Sequence, residues 1–367
     1  MKQTVIVSTQ PIGDVNHSAF VRTSLYLANK FPKQITLLDK DFELYNKPVD
    51  NIMIAYGTFY ADFKNIMLFL DRNAQKRFFY LVNEYGLIPN GDIYRFLVKH
   101  NYDIIANFEE GATGARHYRS FNIVNMNVTA LRDIDIEVPF EQRHKGLIYW
   151  GRWRPDRAIY FSKFLHDCTV STASKNERFF QELQHKIKII EPVNFISNSQ
   201  IHNYKYTIYL EDTYTHTHYN HLSDRFYEAL SVNLIMFFEK NTINTINKSN
   251  YPINPYYIVE DYTEMQKKIK EIETNPQPHI EYIKKLKALA LKELETEINK
   301  LINILQSEIP VHKLTCPTCN KKTYRIYTCE VCGKKICPDC FDMYRKIFCA
   351  ECFKKTNKRV EKQLTLF

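Results

Sequence analysis

Eight of the nine cysteines fall between Cys316 and Cys352, in the spacing C-x2-C-x9-C-x2-C-x4-C-x2-C-x8-C-x2-C. A C-x-x-C knuckle can give two thiolates to one tetrahedral zinc, so four knuckles make two sites of four thiolates each. The ligand set is Cys316, Cys319, Cys329, Cys332, Cys337, Cys340, Cys349 and Cys352; Cys168 stands apart. Four protein ligands per ion leave no open coordination position, so such zinc is structural. Two pairings are possible. Sequential knuckles would give two ribbon-like lobes. Interleaved ones, first with third and second with fourth, would give a cross-brace, which the four residues between the middle knuckles favour.

Three further groups could do chemistry. Arg152, Arg154 and Arg157 form the turn "GRWRPDR" directly after the strand-like "LIYW". Arginines where a strand ends and a helix begins suit a pyrophosphate, because the guanidinium fork binds oxyanions in pairs and the helix start adds N–H groups. The competing reading is a solvated helix start. In "SDRFYEAL", Ser223 is a good N-cap, and Arg225 and Glu228 lie one turn apart on one helix face. A cation for phosphate and a carboxylate for ribose hydroxyls at that spacing would hold a nucleotide; an intrahelical ion pair is the alternative. Glu84, in "YLVNE", ends a strand, where a carboxylate can act as general base. The D-x-D pair Asp133 and Asp135 is too common a pattern to count as a metal site. His216, His218 and His221 in "THTHYNHL" read as a polar rim loop before a metal site.

These motifs together resemble the GT-B glycosyltransferases, most closely the DNA β-glucosyltransferases of T-even phages. The family has a strand followed by a Gly-aromatic-Arg turn, as in "IYWGRWRPDRAIYFSKFL", an R-x-x-E pair opening a later helix, as in "DRFYEAL", and an acid ending a "YL" strand, as in "YLVNE". The similarity covers roughly residues 1–300. It implies a UDP-sugar donor whose diphosphate is held by Arg154, Arg157 and Arg225, a ribose held by Glu228, and Glu84 as the base that deprotonates the acceptor hydroxyl. Here the base is Glu where the family has Asp, and the arginine turn is one residue shorter.

The elements that must position these residues are legible in the hydrophobic pattern. "TVIVST", "ITLLD", "NIMIAYG", "RFFYLVNE", "YDIIANFE" and "FNIVNMN" are short strand segments separated by helical ones such as "HSAFVRTSLYLANKF", "ADFKNIMLFLDRN" and "DIYRFLVKH". A second alternating run follows: "GLIYWG", "CTVSTA", "KIKIIE", "YTIYLED", "LIMFFEK" and "YYIVED", interleaved with "RAIYFSKFL", "NERFFQELQ" and "SDRFYEALS". Alternation of this kind predicts an α/β fold of two Rossmann-like domains facing a cleft, with ligands at the carboxyl ends of the strands. The expected domains are residues 1–143 for the acceptor and 144–277 for the nucleotide sugar. A long linking helix over 278–308, a two-zinc module over 313–356 and a tail over 357–367 follow.

Composition narrows the function classes. The chain has 367 residues, 44% of them hydrophobic, enough for large cores. Only nine are Gly. Neither G-x-G-x-x-G nor G-x-x-x-x-G-K-[ST] occurs, so a glycine-cradled dinucleotide site and a P-loop are excluded and phosphate binding falls to side chains. Apolar runs such as Leu234–Phe238 are far too short to span a membrane, and the N-terminus lacks a signal peptide, so a cytoplasmic location is expected, in the host if the gene is a phage's. The net charge is +9. Residues 311–367 carry 13 Lys and Arg against 5 Asp and Glu, a net +8 that leaves +1 for the rest. Eight thiolates with two Zn²⁺ add −4, which brings the tail to +4. Interleaved cations and aromatics, among them Lys321, Arg325, Tyr327, Tyr344, Arg345 and Phe348, suit phosphate contact and base stacking.

The chain ends "KQLTLF", in which Gln363, Leu364, Leu366 and Phe367 match the pentapeptide Q-L-[SD]-L-F that docks DNA enzymes on a sliding clamp, with Thr365 at the variable position. The leading expectation is a DNA glycosyltransferase that moves a sugar from a UDP-sugar to the hydroxyl of a hydroxymethylated pyrimidine, with inversion. The base would be flipped out of the duplex. Two alternatives stand beside it: a cytoplasmic glycosyltransferase on a glycan or small molecule with a protein-docking zinc module, and a non-enzymatic zinc-dependent DNA-binding adaptor.

Overall fold

A computed structural model describes residues 2–8, 19–39, 47, 49–55, 74, 76–80, 97, 100, 102–106, 123–127, 130–132, 139–151, 153–183, 185–192, 201–218, 221–308, 314–323, 326–337, 340–343 and 347–355. By internal contact the chain divides into two compact units. One comprises 1–9, 31–126 and 302–367; the other comprises 10–30 and 127–301.

The first unit holds a parallel sheet of six strands in the order β2-β1-β3-β4-β5-β6. These are β1 (Thr4–Ser8), β2 (Ile35–Leu38), β3 (Asn51–Ala55), β4 (Lys76–Tyr80), β5 (Asp103–Ala106) and β6 (Ile123–Asn125). Parallel strands are covered on both faces, so they read as unbroken apolar runs. Val5, Ile6, Val7, Ile54, Phe79, Ile104 and Ile105 are fully buried.

The second unit holds another parallel six-stranded sheet, order β12-β11-β10-β7-β8-β9. Its strands are β7 (Lys145–Trp150), β8 (Cys168–Ser171), β9 (Ile187–Ile190), β10 (Tyr204–Tyr209), β11 (Ile235–Glu239) and β12 (Ile258–Val259). The twelve strand segments read from the sequence are the strands of these two sheets. In the second, β7 and β10 are neighbours although they are first and fourth in chain order. The order of connection reverses there, which opens a crevice at the carboxyl ends of the two strands. The core of this unit is rich in aromatics: Tyr149, Phe161, Phe164, Tyr206, Tyr209, Phe226 and Tyr227 are essentially inaccessible.

The helices are α1 (Ala19–Lys30), α2 (Ala158–Phe164), α3 (Ser174–Gln181), α4 (Thr213–His218), α5 (Asp224–Ser231), α6 (Ile243–Lys248), α7 (Tyr262–Thr274) and α8 (Gln277–Gln306). The segments "ADFKNIMLFLDRN" and most of "DIYRFLVKH" lie outside the described residues. Helix α5 ends in a Schellman motif: Leu234 N–H donates to Ala229 O and Asn233 N–H to Leu230 O, both 3.0 Å, with Asn233 at φ 53°. In a glycine-poor chain Asn takes the left-handed position.

Helix α8 begins at Gln277, one residue before the expected 278, with Pro278 in the first turn, where no N–H is required. Its other end, in the first unit, is capped by side chains. Lys76 Nζ donates to Ile304 O (2.7 Å), Asn51 Nδ2 to Leu305 O (3.0 Å) and Lys2 Nζ to Ser307 O (2.7 Å). Cations at the last carbonyls satisfy orphan acceptors and the negative end of the helix dipole together.

Candidate functional site

Arg154, Arg157, Arg225 and Glu228, picked from the sequence, are carried by the elements that follow β7 and β10. Strand β7 runs out through Trp150 to Gly151, whose φ is 153°. A Cβ there would meet Tyr149 Oη at 3.0 Å, so the tyrosine and the positive φ call for glycine; Arg225 Nη2 would lie 3.6 Å from that Cβ, in ordinary contact. A 3-10 turn, Pro155–Arg157, then leads into α2. Strand β10 runs out to Glu211 and Asp212, and α5 begins just after Ser223.

Arg157 is buried with its guanidinium engaged. It pairs with Glu211, and its Nη2 reaches Asp212 Oδ2 at 3.0 Å. Burial disfavours the cation, but the two carboxylates outweigh it and hold its pKa above the ordinary value. Arg225 Nη1 donates to Leu210 O (2.5 Å) and Glu211 Oε1 (3.0 Å). Among the described residues its Nη2 has no hydrogen-bond partner. Arg154 is half exposed and touches Asp212 Oδ2, at 3.6 Å. Arg152 lies outside the described residues. Glu211 and Asp212 are buried, which raises a carboxyl pKa, yet Arg157 and Arg225 on the first and Thr215 with Arg157 on the second hold both below the ordinary range.

Ser223 occupies the N-cap position of α5, as its type suggests, but its hydroxyl does not cap the helix. It donates to Glu211 Oε1 at 2.7 Å. A buried carboxylate with two arginines still needs its remaining lone pairs filled, and that demand takes the hydroxyl.

Glu228 is buried. Its Oε2 accepts from Trp150 Nε1 at 2.7 Å, and its Oε1 accepts from Arg132 Nη1 (3.3 Å) and forms an ion pair with Arg22. The pair Arg225 and Glu228 is therefore not an intrahelical ion pair. Burial pushes the Glu228 pKa up, and Arg22 and Arg132 pull it below the usual carboxylate range. Arg132 also pairs with Asp224, one turn back.

Sequence reasoning passes over Glu211, Asp212, Arg22, Arg132 and Trp150. The acidic pair is visible in "YTIYLED", but what marks it is its place at the β7/β10 crevice, and strand order is not written in the chain's periodicity. Glu84 and the pair Asp133 and Asp135 lie outside the described residues. So does the side chain of His218. His216 is buried with Nε2 3.5 Å from Glu239 Oε2, and His221 is buried as well. The expected rim loop is thus inside the unit at these two positions.

Burial drives the His221 pKa from 6.5 down to about 4. A histidine that folds neutral binds protons more readily when unfolded, so its contribution is complete above pH 6.5 and is lost as pH falls towards 4. The full shift corresponds to ~3 kcal/mol. Chemical unfolding of wild type and His221→Asn at several pH values should give curves that converge between pH 6.5 and 4. A constant difference across that window would refute it.

The cysteine segment forms three two-stranded hairpins: β13 (Leu314–Thr315) with β14 (Lys322–Thr323), β15 (Tyr327–Thr328) with β16 (Lys335–Ile336), and β17 (Phe341–Met343) with β18 (Ile347–Cys349). The thiols gather as Cys316, Cys319, Cys337 and Cys340, and as Cys329, Cys332, Cys349 and Cys352, each set within 4.8 Å. Knuckles pair first with third and second with fourth, the interleaved order. Sulfur separations of 3.6 Å (Cys319–Cys337), 3.6 Å (Cys337–Cys340) and 3.7 Å (Cys332–Cys349) fit a metal tetrahedron, whose edge is about 3.8 Å for Zn–S bonds of about 2.3 Å. They are far too long for disulfides. The first two knuckles share one geometry. The residue after the second cysteine, Asn320 or Gly333, has positive φ and donates its N–H to the carbonyl of the first cysteine, at 2.8 and 2.9 Å. Thr318 N–H points at Cys316 Sγ (3.4 Å) and Cys349 N–H at Cys329 Sγ (3.3 Å), donors that favour thiolates. Among the described residues these two sets are the groups able to share a metal ion.

The fold has counterparts of known structure. An α-glucosyltransferase solved with UDP and a 13-mer DNA containing an HMU base superposes with a TM-score of 0.66 and 12% identity, over 83% of this chain and 99% of that one. T4 phage β-glucosyltransferase, solved as a point mutant with UDP-glucose, gives a TM-score of 0.61 and 10% identity, over 83% of this chain and 100% of that one. The chain has the GT-B fold. No protein-family model matches the sequence, and no curated protein matches it either. The GT-B counterparts are covered whole by five-sixths of this chain, which therefore carries sequence beyond that fold. Among the described residues no helix is long and apolar enough to cross a membrane.

Proposed function

We propose that the protein is a DNA glycosyltransferase that transfers a sugar from a UDP-sugar to the hydroxyl of a hydroxymethylated pyrimidine. The observation that carries this reading is Arg225. Its Nη1 is anchored on Glu211 and Leu210, and its Nη2 is unspent against the backbone of Gly151, at the crevice where a parallel sheet takes its ligand. The likeness to glucosyltransferases solved with UDP-glucose and with modified DNA supports the substrate classes.

In this reading Arg225, half-exposed Arg154 and Arg152 contact the donor diphosphate. Arg157, spent on Glu211 and Asp212, adds charge from behind. These cations stabilise the negative charge that grows on the leaving UDP, fixed in place before the reaction. Glu228 accepts a ribose hydroxyl. Glu84, four residues beyond β4, takes the proton of the acceptor hydroxyl as its oxygen attacks the anomeric carbon. The bond from that carbon to the β-phosphate oxygen breaks, UDP leaves, and in-line attack inverts the centre. The zincs stay outside this chemistry and hold a basic, aromatic-studded module against DNA.

Incubation with hydroxymethylated or plain DNA and a panel of UDP-sugars should give DNA mass gain and UDP release only with the modified DNA. UDP release with a small acceptor and none with DNA would select the alternative acceptor class. Glu84→Gln should bind donor normally and lose transfer by about 10²–10⁴-fold; undiminished turnover removes Glu84 from the mechanism.

Gln363–Phe367 lie outside the described residues. The peptide's one polar anchor and three apolar residues suit a clamp pocket, and such a tether would direct modification to new DNA. Deleting these five residues should abolish capture by an immobilised bacterial sliding clamp; equal capture of the truncated chain would sink the tether.

A further inference from the structure

We infer that Arg22 is a positioning residue for the nucleotide, because it fixes Glu228 with a single acceptor position open, so that the carboxylate reads one ribose hydroxyl and not two. The inference rests on the reading of Glu228 as the ribose ligand.

A carboxylate has about four acceptor positions, two on each oxygen. On Glu228, Oε1 is closed off by both guanidinium groups: it accepts from Arg132 Nη1 and is in ion-pair contact with Arg22. Oε2 takes the indole N–H of Trp150 at 2.7 Å. Among the described residues that leaves one position, on Oε2. Trp150 is the last residue of β7, directly before Gly151, so the open oxygen is carried on the same strand end as the phosphate-facing turn. Glu228 itself is one turn from Arg225 on α5. Phosphate ligand and sugar ligand are thus set by one strand end and one helix face.

The two arginines have different work. Arg132 also pairs with Asp224 and reaches the Asp224 carbonyl at 3.3 Å, so it braces the first turn of α5. Half-buried Asp224 and buried Glu228 are carboxylates one turn apart, and without Arg132 they repel. Arg22 comes from α1, outside the α5 turn, and forms its ion pair with Glu228. Its guanidinium contact at Oε1 orients the carboxylate, and together with Arg132 it keeps the acid ionised and so able only to accept. An ionised acceptor discriminates strongly for a hydroxyl, because an analogue lacking that hydroxyl leaves the buried charge short of a donor.

The test is calorimetric affinity of the full-length, zinc-loaded protein for UDP, 2′-deoxy-UDP and 3′-deoxy-UDP, without acceptor DNA. Wild type should lose about tenfold or more in affinity for one of the two deoxynucleotides and little for the other. Arg22→Met should erase that difference to within about twofold, with UDP weakened and the indifferent analogue unchanged. Arg22→Lys, which keeps the charge without the fork, should retain an intermediate preference. Thermal melts identify a variant that fails to fold, in which case Arg22→Lys alone carries the comparison. Equal losses for both deoxynucleotides in wild type overturn the single open position. Full wild-type preference in Arg22→Met overturns the role of Arg22 and leaves the donor reading standing. A wild-type protein that binds no UDP overturns the donor reading and this inference with it.

Discussion

Stripping metal from the protein is expected to unfold residues 314–355 and leave the two six-stranded sheets folded. Hydrogen exchange before and after chelation should show protection lost throughout the cysteine segment and kept in β1–β12. The reason lies in what holds that segment. Its strands are two or three residues long and its sheets are single hairpins, which do not persist alone in water. Structural zinc contributes about 10–16 kcal/mol per ion in comparable modules, more than so small a core supplies. The cores of both sheets contain none of the eight cysteines.

The interleaved pairing makes a sharper form of the same prediction. Cys316→Ser combined with Cys337→Ser strikes one set and should reduce bound zinc from two ions to one. Cys316→Ser combined with Cys329→Ser strikes both and should remove both. Native mass spectrometry reads the count directly. Two ions retained after either double substitution, or protection unchanged by chelation, would show that the thiols are not the ligands.

Arg225→Ala is expected to cut transfer to hydroxymethylated DNA by about 10²–10³-fold, the scale for losing one preorganised charge-stabilising donor. Most of the loss should be in kcat, because the charge on the leaving UDP is largest in the transition state. Arg225→Lys should recover part of the rate, since an ammonium supplies the charge without the fork. Stability should fall by only about 1–3 kcal/mol, because Glu211 keeps Arg157 and the Ser223 hydroxyl as partners. An unchanged kcat/KM with that loss of stability would reduce Arg225 to an architectural ion pair and remove the main support for the donor site.

Much of this was legible before any coordinates. Strand segments are short unbroken apolar runs when both faces of a sheet are covered, and all twelve were recognisable for that reason. The thiol knuckles were legible because their spacing is a local property of segments two residues wide. Arg154, Arg157, Arg225 and Glu228 were singled out because strand ends and helix starts are local features too.

What the sequence by itself determined was local: which residues form strands and helices, which thiols come in pairs, and which cations stand where a strand gives way to a helix. Only the tertiary structure decided how these are joined. It placed β10 beside β7, so that Glu211 and Asp212 engage Arg157 and, among the described residues, leave Arg225 with an unspent donor. It turned the Ser223 hydroxyl from its helix to Glu211, and it brought Arg22 and Arg132 from distant parts of the chain to Glu228. It paired the first knuckle with the third. Periodicity fixes what each segment buries and says nothing of which segment lies beside it. Buried charges must find partners wherever the strand order brings them, and that order is settled by packing over the whole sheet.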